Sequence, residues 1–477
     1  MTAVSSQKTQ TKIVCTIGPS TSSKPTLRRL VEAGMNVARL NMSHGTVDEH
    51  AARIRMIRSV AKEMNTPIGI LLDLPGPKIR VGKIFPEPVE LREESQLILT
   101  ARRVIGNQRM VSISHPSVLT SLSKGDRVFL EDGTVQLIVN ETRKGEAICR
   151  VINGGLLSSG KGVNFPGKML KLGALTTKDI TLLKFAIQNH VDFVGLSFVS
   201  TANEVVRARR ILKKAGSHAW IVAKIEKRQA VENFDSIAKK AHAIMVARGD
   251  LGIETDLEDI PELQKKIITK ANTAGKPVIT ATQMLESMVN NPTPTRAEVT
   301  DVANAIIDGT DAVMLSEETA VGRYPVEAVN VMKRVAAAAE KNLAYGTLLE
   351  SRRALLRKIV QDSISFSACQ VAFQLGAECI VAHTRTGLTA HRVSKFRSSV
   401  PIIALTYRFP IMNRLTLLWG VYPYRVKKLS TTAEIFASAK TAAKNSGTVK
   451  PGGKIVVVCG DPSTPGGTTD LLRVQAV

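Results

Sequence analysis

Residues 37–43 read VARLNMS, and the three polar side chains of the run, Arg39, Asn41 and Ser43, are all of one parity. Successive residues of a β-strand face opposite ways, so these three share one face and crowd towards the strand's C-terminal end. The same arrangement recurs along the chain. Asp73 ends a β-branched run at 68–74, Lys224 and Glu226 close 221–225, and Arg248 and Asp250 follow 243–247. Thr280 and Thr282 close 277–281, and Ser316 and Glu318 end 312–315. One polar strand end is an ordinary turn. Six that converge call for a ligand, because buried charges at this density must be paired, metal-bound or used.

The neighbourhood of these runs decides the fold. With 12–17 and 193–198 they make eight short strands, separated by amphipathic stretches at 23–33, 46–63, 177–189, 202–215, 229–240, 260–274 and 296–307. Eight βα units close a barrel, which carries its chemistry at the C-terminal strand ends. The expected fold is therefore an α/β, (β/α)8 barrel with two additions. Residues 77–174 break the rhythm with short alternating strands (96–99, 127–130, 136–139, 147–151) and read as an all-β insert, either a lid over the mouth or a structural appendage. After a long helix around 326–343, residues 344–477 alternate strand and helix again, with strands at 379–382, 401–404 and 454–459. The barrel then comprises 1–76 and 175–343, and the last unit reads as a smaller α/β domain.

Composition narrows the class. The 477 residues are 44% hydrophobic and 22% charged, ordinary globular usage that excludes wholesale disorder. No run approaches the ~18 apolar residues of a membrane helix, and residues 1–10 lack a signal-peptide core, so a cytoplasmic location is expected. Five scattered cysteines fit reduced thiols of the core. The 65 Lys and Arg against 41 Asp and Glu leave +24, which attracts anions. Aromatics at 4%, and basic residues spread along the chain, argue against nucleic acid as the main partner.

Two carboxylates, Glu226 and Asp250, suit a hard divalent cation completed by substrate oxygens, and Arg39 and Lys224 suit a dianionic group. That equipment serves phosphoryl transfer, in which positioning and charge neutralisation dominate. No Walker loop or protein-kinase glycine loop is present, so a nucleotide is held some other way.

Seven stretches, TKIVCTIGPS (11–20), ARLNMSHG (38–45), LDLPGPKIR (72–80), IVAKIEK (221–227), MVARGDLG (245–252), ITATQMLESM (279–288) and VMLSEETA (313–320), resemble pyruvate kinase in order and spacing, over nearly the whole chain. The resemblance implies transfer of a phosphoryl group from phosphoenolpyruvate to ADP, giving pyruvate and ATP. It casts Lys224 beside the transferring group, Glu226 and Asp250 as Mg²⁺ (or Mn²⁺) ligands, and Thr282 in delivery of a proton to the enolate. Arg248, Gly249 and Asp250 would meet the substrate, with Arg39 and Arg80 near phosphates and Asn41, His44 and Lys178 near the nucleotide.

One departure is sharp. Potassium-requiring members carry Thr-Lys after the aspartate and a glutamate two residues before the arginine, whereas this chain has Leu74, Pro75 and Lys78. The lysine ammonium supplies in place the charge of a bound K⁺. The resemblance thus implies potassium independence, with Asn41, Ser43 and Asp73, cation ligands elsewhere in the family, orienting Lys78. Glu317 stands where glycine is common. The loop Thr384, Arg385, Thr386, Gly387, Leu388, Thr389 resembles the family's effector loop and makes a phosphate nest for a phosphorylated activator. The resemblance also implies a homotetramer, and, with the chain ending at Val477, none of the further C-terminal domain of some bacterial members. Two rivals stay open. A metal-dependent oxo-acid aldolase would share Glu226, Asp250 and an arginine but need neither Lys224 nor the insert. An RNA-binding barrel rests on the +24 charge alone.

Overall fold

The computed structural model describes residues 9–168, 173–462 and 468–477. Eight parallel strands close on themselves: β1 (Lys12–Thr16), β2 (Val37–Asn41), β3 (Gly69–Asp73), β4 (Phe193–Leu196), β5 (Trp220–Ile225), β6 (Ala243–Ala247), β7 (Val278–Ala281) and β8 (Ala312–Leu315). Closure is made by β1, which pairs with β8 (Lys12 opposite Ala312) and with β2 (Val14 opposite Val37). The insert leaves this ladder intact, because β3 pairs directly with β4, Leu71 lying opposite Phe193.

Alternation sorts each strand into two faces. Val14, Val37, Leu71, Phe193, Val222, Met245, Ile279, Ala281 and Met314 fill the barrel interior. Ile13, Cys15, Ala38, Leu40, Ile70, Ala223, Val313 and Leu315 pack outward against the helices. This parity corrects one expectation. Because Ile279 and Ala281 face inward, Thr280 faces the helix layer, where its hydroxyl bonds Thr310 Oγ1 at 3.0 Å, and only Thr282 is left to reach the mouth. The helix expected over 229–240 is interrupted as well. It forms as Arg228–Glu232 and Phe234–Lys240, and the Asn233 amide between them donates to the Ser200 carbonyl.

The insert is a six-stranded sheet in the order Val163–Asn164, Arg127–Leu130, Val135–Arg143, Glu146–Asn153, Gln96–Thr100, Met110–Ser112, with a separate apolar cluster from Ile79 to Phe165. The C-terminal sheet has five strands, of which Cys379–His383, Ile402–Thr406 and Lys454–Cys459 are central. Its edges, Val421–Arg425 and Leu471–Ala476, carry no strong sequence signal. The first contains Pro423, tolerated only at an edge, and the second is largely exposed. This domain plugs the base of the barrel. Leu417 enters the interior cluster, and Arg397 grips Asp311, at the root of β8, with two bonds of 2.9 and 3.0 Å. All five cysteines are buried and none is in a disulfide among the described residues, and burial raises the Cys15, Cys149, Cys369 and Cys459 thiols far above neutrality.

Candidate active site

Four charged side chains meet at the C-terminal mouth of the barrel. Arg39 on β2 donates its Nε to Asp73 Oδ2 at 2.8 Å, with its Nη2 at 2.7 Å, and steadies the other guanidinium nitrogen on Thr16 Oγ1. Lys224 on β5 sits 3.3 Å from Asp73 Oδ1, 2.7 Å from Glu226 Oε1 and 2.7 Å from Ser197 Oγ. The second Glu226 oxygen accepts the Phe198 amide at 2.7 Å. All four are buried, Glu226 completely. Burial alone would raise the Asp73 carboxyl, but Lys224 and Arg39 outweigh it and hold it below the usual aspartate range. Burial would likewise lower Lys224, yet Asp73 and Glu226 raise it and keep it charged. Glu226 goes the other way. Its burial, with the nearby Asp250 charge adding to it, raises the carboxyl despite Lys224.

That last shift bears on a metal. Glu226 Oε1 is buried and makes no hydrogen bond, facing only the Lys224 ammonium. Asp250, partly exposed, is 3.7 Å from Lys78 Nζ. No group of three or more His, Cys, Asp or Glu residues suited to a metal occurs among the described residues. A pair of carboxylates repelling each other, one of them buried, fits a hard divalent cation that takes its remaining oxygens from substrate and water.

Across the mouth, Thr282 follows β7 with φ +71°, a conformation a β-branched residue adopts only under constraint. Its hydroxyl accepts the Gly249 amide at 2.8 Å. Arg248 holds this turn in shape. Its Nη1 donates to both oxygens of Asp301 (2.8 and 2.6 Å) and its Nη2 to the Thr282 carbonyl at 2.7 Å. The Arg248 guanidinium is thereby bonded to Asp301 and to the 282–283 backbone. Glu318 is also structural, accepting the amides of Leu285 and Ser316.

The pyruvate kinase barrel-domain family model matches residues 8–329, and the pyruvate kinase alpha/beta-domain model matches 362–475. The chain belongs to the pyruvate kinase family. It is 44% identical to the pyruvate kinase of Geobacillus stearothermophilus over 98% of its own length and 81% of that protein's. It is 41% identical to that of Thermococcus litoralis, over 98% of each. A crystal structure of a pyruvate kinase from Cryptosporidium parvum superposes with a TM-score of 0.94 at 37% identity, covering 98% of this chain and 96% of that one. The chain is thus a phosphotransferase, with the family's barrel and C-terminal α/β domain.

The other family positions named from sequence lie outside the four-residue cluster. Lys78 stands 5.8 Å from the Phe198 ring, and Leu74 is buried, its amide on the Gly195 carbonyl. Asn41 accepts the Ser43 amide in a local turn, and His44 is exposed, its carbonyl bonded by the buried His50. Arg80 is exposed and donates to the Gly160 carbonyl of the insert, and Lys178 is exposed in the first turn of helix Thr177–Gln188. In the C-terminal loop the Thr384 hydroxyl accepts the Gly387 amide, and Thr389 bonds Thr469. Arg385 and Thr386 are exposed.

Sequence reading passed over Thr16, Ser197, Asp301 and Glu254. Ser197 and Thr16 were legible as polar strand ends, but Asp301 lies on the helical face of 296–307 and carries no such signal. Glu254 ends the helix Arg248–Glu254 against the insert. Its burial, with Asp250 adding to it, pushes the carboxyl from 4.5 up to about 7, Lys227 and a hydrogen bond with Asn164 offsetting only part. The unfolded chain releases this proton at the ordinary glutamate value, so the stability Glu254 confers is complete below about 4.5 and is lost as pH rises through about 7. The thermal midpoint of the parent is therefore expected to fall between pH 5 and pH 8 relative to that of Glu254→Gln. Parallel pH profiles in thermal-melt measurements would contradict this.

Proposed function

We propose that this pyruvate kinase moves the phosphoryl group of phosphoenolpyruvate to ADP. The bond between phosphorus and the enol oxygen breaks as a terminal oxygen of ADP attacks, and the enolate then takes a proton at its methylene carbon to give pyruvate. The observation that carries this reading is the Lys224 ammonium, buried between Asp73, Glu226 and Ser197 at the barrel mouth. Lys224 and Arg39 stabilise charge on the transferring group without rearranging, because both are already held by Asp73. Glu226 and Asp250 hold Mg²⁺ or Mn²⁺, which when bound supplies Lewis-acid polarisation of the substrate oxygens. Thr282, with its hydroxyl fixed by the Gly249 amide, stands where a proton passes to the enolate through ordered water. Arg80, Asn41, His44 and Lys178 receive ADP.

Three finer features belong to the same reading. Lys78 close to Asp250 supports activity without potassium, since a fixed ammonium occupies the charge position. A phosphorylated metabolite activates through Arg385 and Thr386, the exposed groups of a loop whose Thr384 and Thr389 hydroxyls are engaged internally. The units are a barrel at 1–76 and 175–343, a lid at 77–174 and a regulatory domain at 344–477, assembled as a cytoplasmic homotetramer as is usual in the family. No helix among the described residues is long and apolar enough to cross a membrane.

Lys224→Met is expected to cut turnover with phosphoenolpyruvate and ADP by about a thousandfold or more while leaving the circular-dichroism spectrum close to the parent, with a lower melting temperature because Asp73 and Glu226 lose a buried partner. Near-parental turnover would remove Lys224 from the reaction. In tetramethylammonium buffers the parent is expected to work at full rate, and sugar phosphates or AMP to lower its KM for phosphoenolpyruvate. A steep rise on adding KCl would overturn the potassium reading, and flat responses to every phosphate would overturn the activation.

A further inference from the structure

The peptide crosses between barrel and insert twice, outward through 74–78 after β3 and back just ahead of helix Thr177–Gln188. One fully buried carboxylate holds both crossings. Asp179 Oδ1 accepts the Gly76 amide at 3.1 Å, and its Oδ2 accepts the Thr176 amide at 2.9 Å and the Thr176 hydroxyl at 2.5 Å. The Thr176 half is an ordinary capping box, since Asp179 N–H returns a bond to Thr176 Oγ1. The Gly76 half is not. It reaches across 103 residues of sequence to the opposite crossing.

What Gly76 touches gives the link its meaning. Gly76 has φ +64°, and a Cβ there would lie 2.9 Å from the Phe198 ring and 3.1 Å from Ser197 Cβ, so its backbone presses directly on the turn after β4. That turn supplies the Ser197 hydroxyl to Lys224 and the Phe198 amide to Glu226. The Gly76 carbonyl accepts the amide of Lys78, which faces Asp250.

We propose that Asp179 is a positioning residue. Its carboxylate fixes the pivot of the insert by fastening both crossings to the barrel rim, and through Gly76 it holds the 197–198 turn beneath Lys224 and Glu226. The proposal rests on the reading of 77–174 as a lid and of Lys224 as the phosphoryl-stabilising residue, and it adds a residue that touches no substrate. A cap-only role predicts lost helix stability and nothing more. A pivot role predicts a looser insert and a misaligned mouth.

The test uses the full chain with spin labels at Arg103→Cys on the insert and Lys239→Cys on the barrel, both exposed positions, the native cysteines being buried. Pulsed-EPR distance distributions are taken without substrate for the parent, Asp179→Asn and Thr176→Ala. Asn offers one acceptor oxygen where Asp has two, so it cannot keep both links. Thr176→Ala removes the cap hydroxyl and leaves the Gly76 bond. Asp179→Asn is expected to broaden the distribution and to lower kcat about tenfold or more. Thr176→Ala is expected to lower the melting temperature at least as far, with the parental distribution and turnover within about twofold of the parent. A parental distribution in Asp179→Asn, or equal broadening in both variants, overturns the proposal. Where Asp179→Asn does not fold, Asp179→Glu takes its place. It keeps both oxygens but displaces them by a methylene, and the same broadening is expected. Because the distances are read without substrate, they report on Asp179 even if the assigned reaction were to fail.

Discussion

Asp73 takes both cations of the barrel mouth at once, Arg39 on one oxygen and Lys224 on the other. Without that buried carboxylate Arg39 keeps, among the described residues, the Thr16 hydroxyl alone of its side-chain partners, and Lys224 is left to Glu226 and Ser197. Burying ions is costly, and the cost is met here by matching two cations to two carboxylates within one hydrogen-bonded cluster. The result is a neutral set of charges held in register by β2, β3 and β5. Preorganisation of this kind suits phosphoryl transfer, which asks the protein for positioning and charge complementarity and little covalent chemistry.

The two additions to the barrel act at its opposite ends. At the base, the C-terminal domain inserts Leu417 and ties Arg397 to Asp311, whose carboxylate also accepts the Val278 amide that begins β7. That strand ends in the strained Thr282 turn. At the mouth, the insert meets the helix Arg248–Glu254 through Asn164 and Glu254, and the segment just after that helix through Arg127 and Asp256, 3.5 Å apart. Both additions therefore touch elements that run to or follow the barrel mouth.

Most of this was readable before any coordinates. The eight strands follow from β-branched runs with polar termini, and parity alone placed Arg39, Asn41 and Asp73 inward. Parity also misled at β7, where Thr280 and Thr282 look like one face. The left-handed turn after Ala281 changes the direction of the chain, so Thr282 reaches the mouth while Thr280 faces helices. Arg248 carries the pattern of a ligand-binding cation, but its partners Asp301 and the 282–283 carbonyls come from elements far along the chain, which no local pattern reveals. Asp179 was hidden for the opposite reason. It fits a common capping motif so well that its second bond, to Gly76, has no signature in sequence.

The central claim is that the ionised Asp73 organises Arg39 and Lys224 for a phosphoryl group. Its most direct measurement is steady-state turnover of Asp73→Asn, which keeps the shape and removes the charge, with phosphoenolpyruvate and ADP varied separately. The account expects kcat/KM for phosphoenolpyruvate to fall by about a hundredfold or more with the KM for ADP little changed. Parental kcat/KM in a correctly folded variant would contradict it.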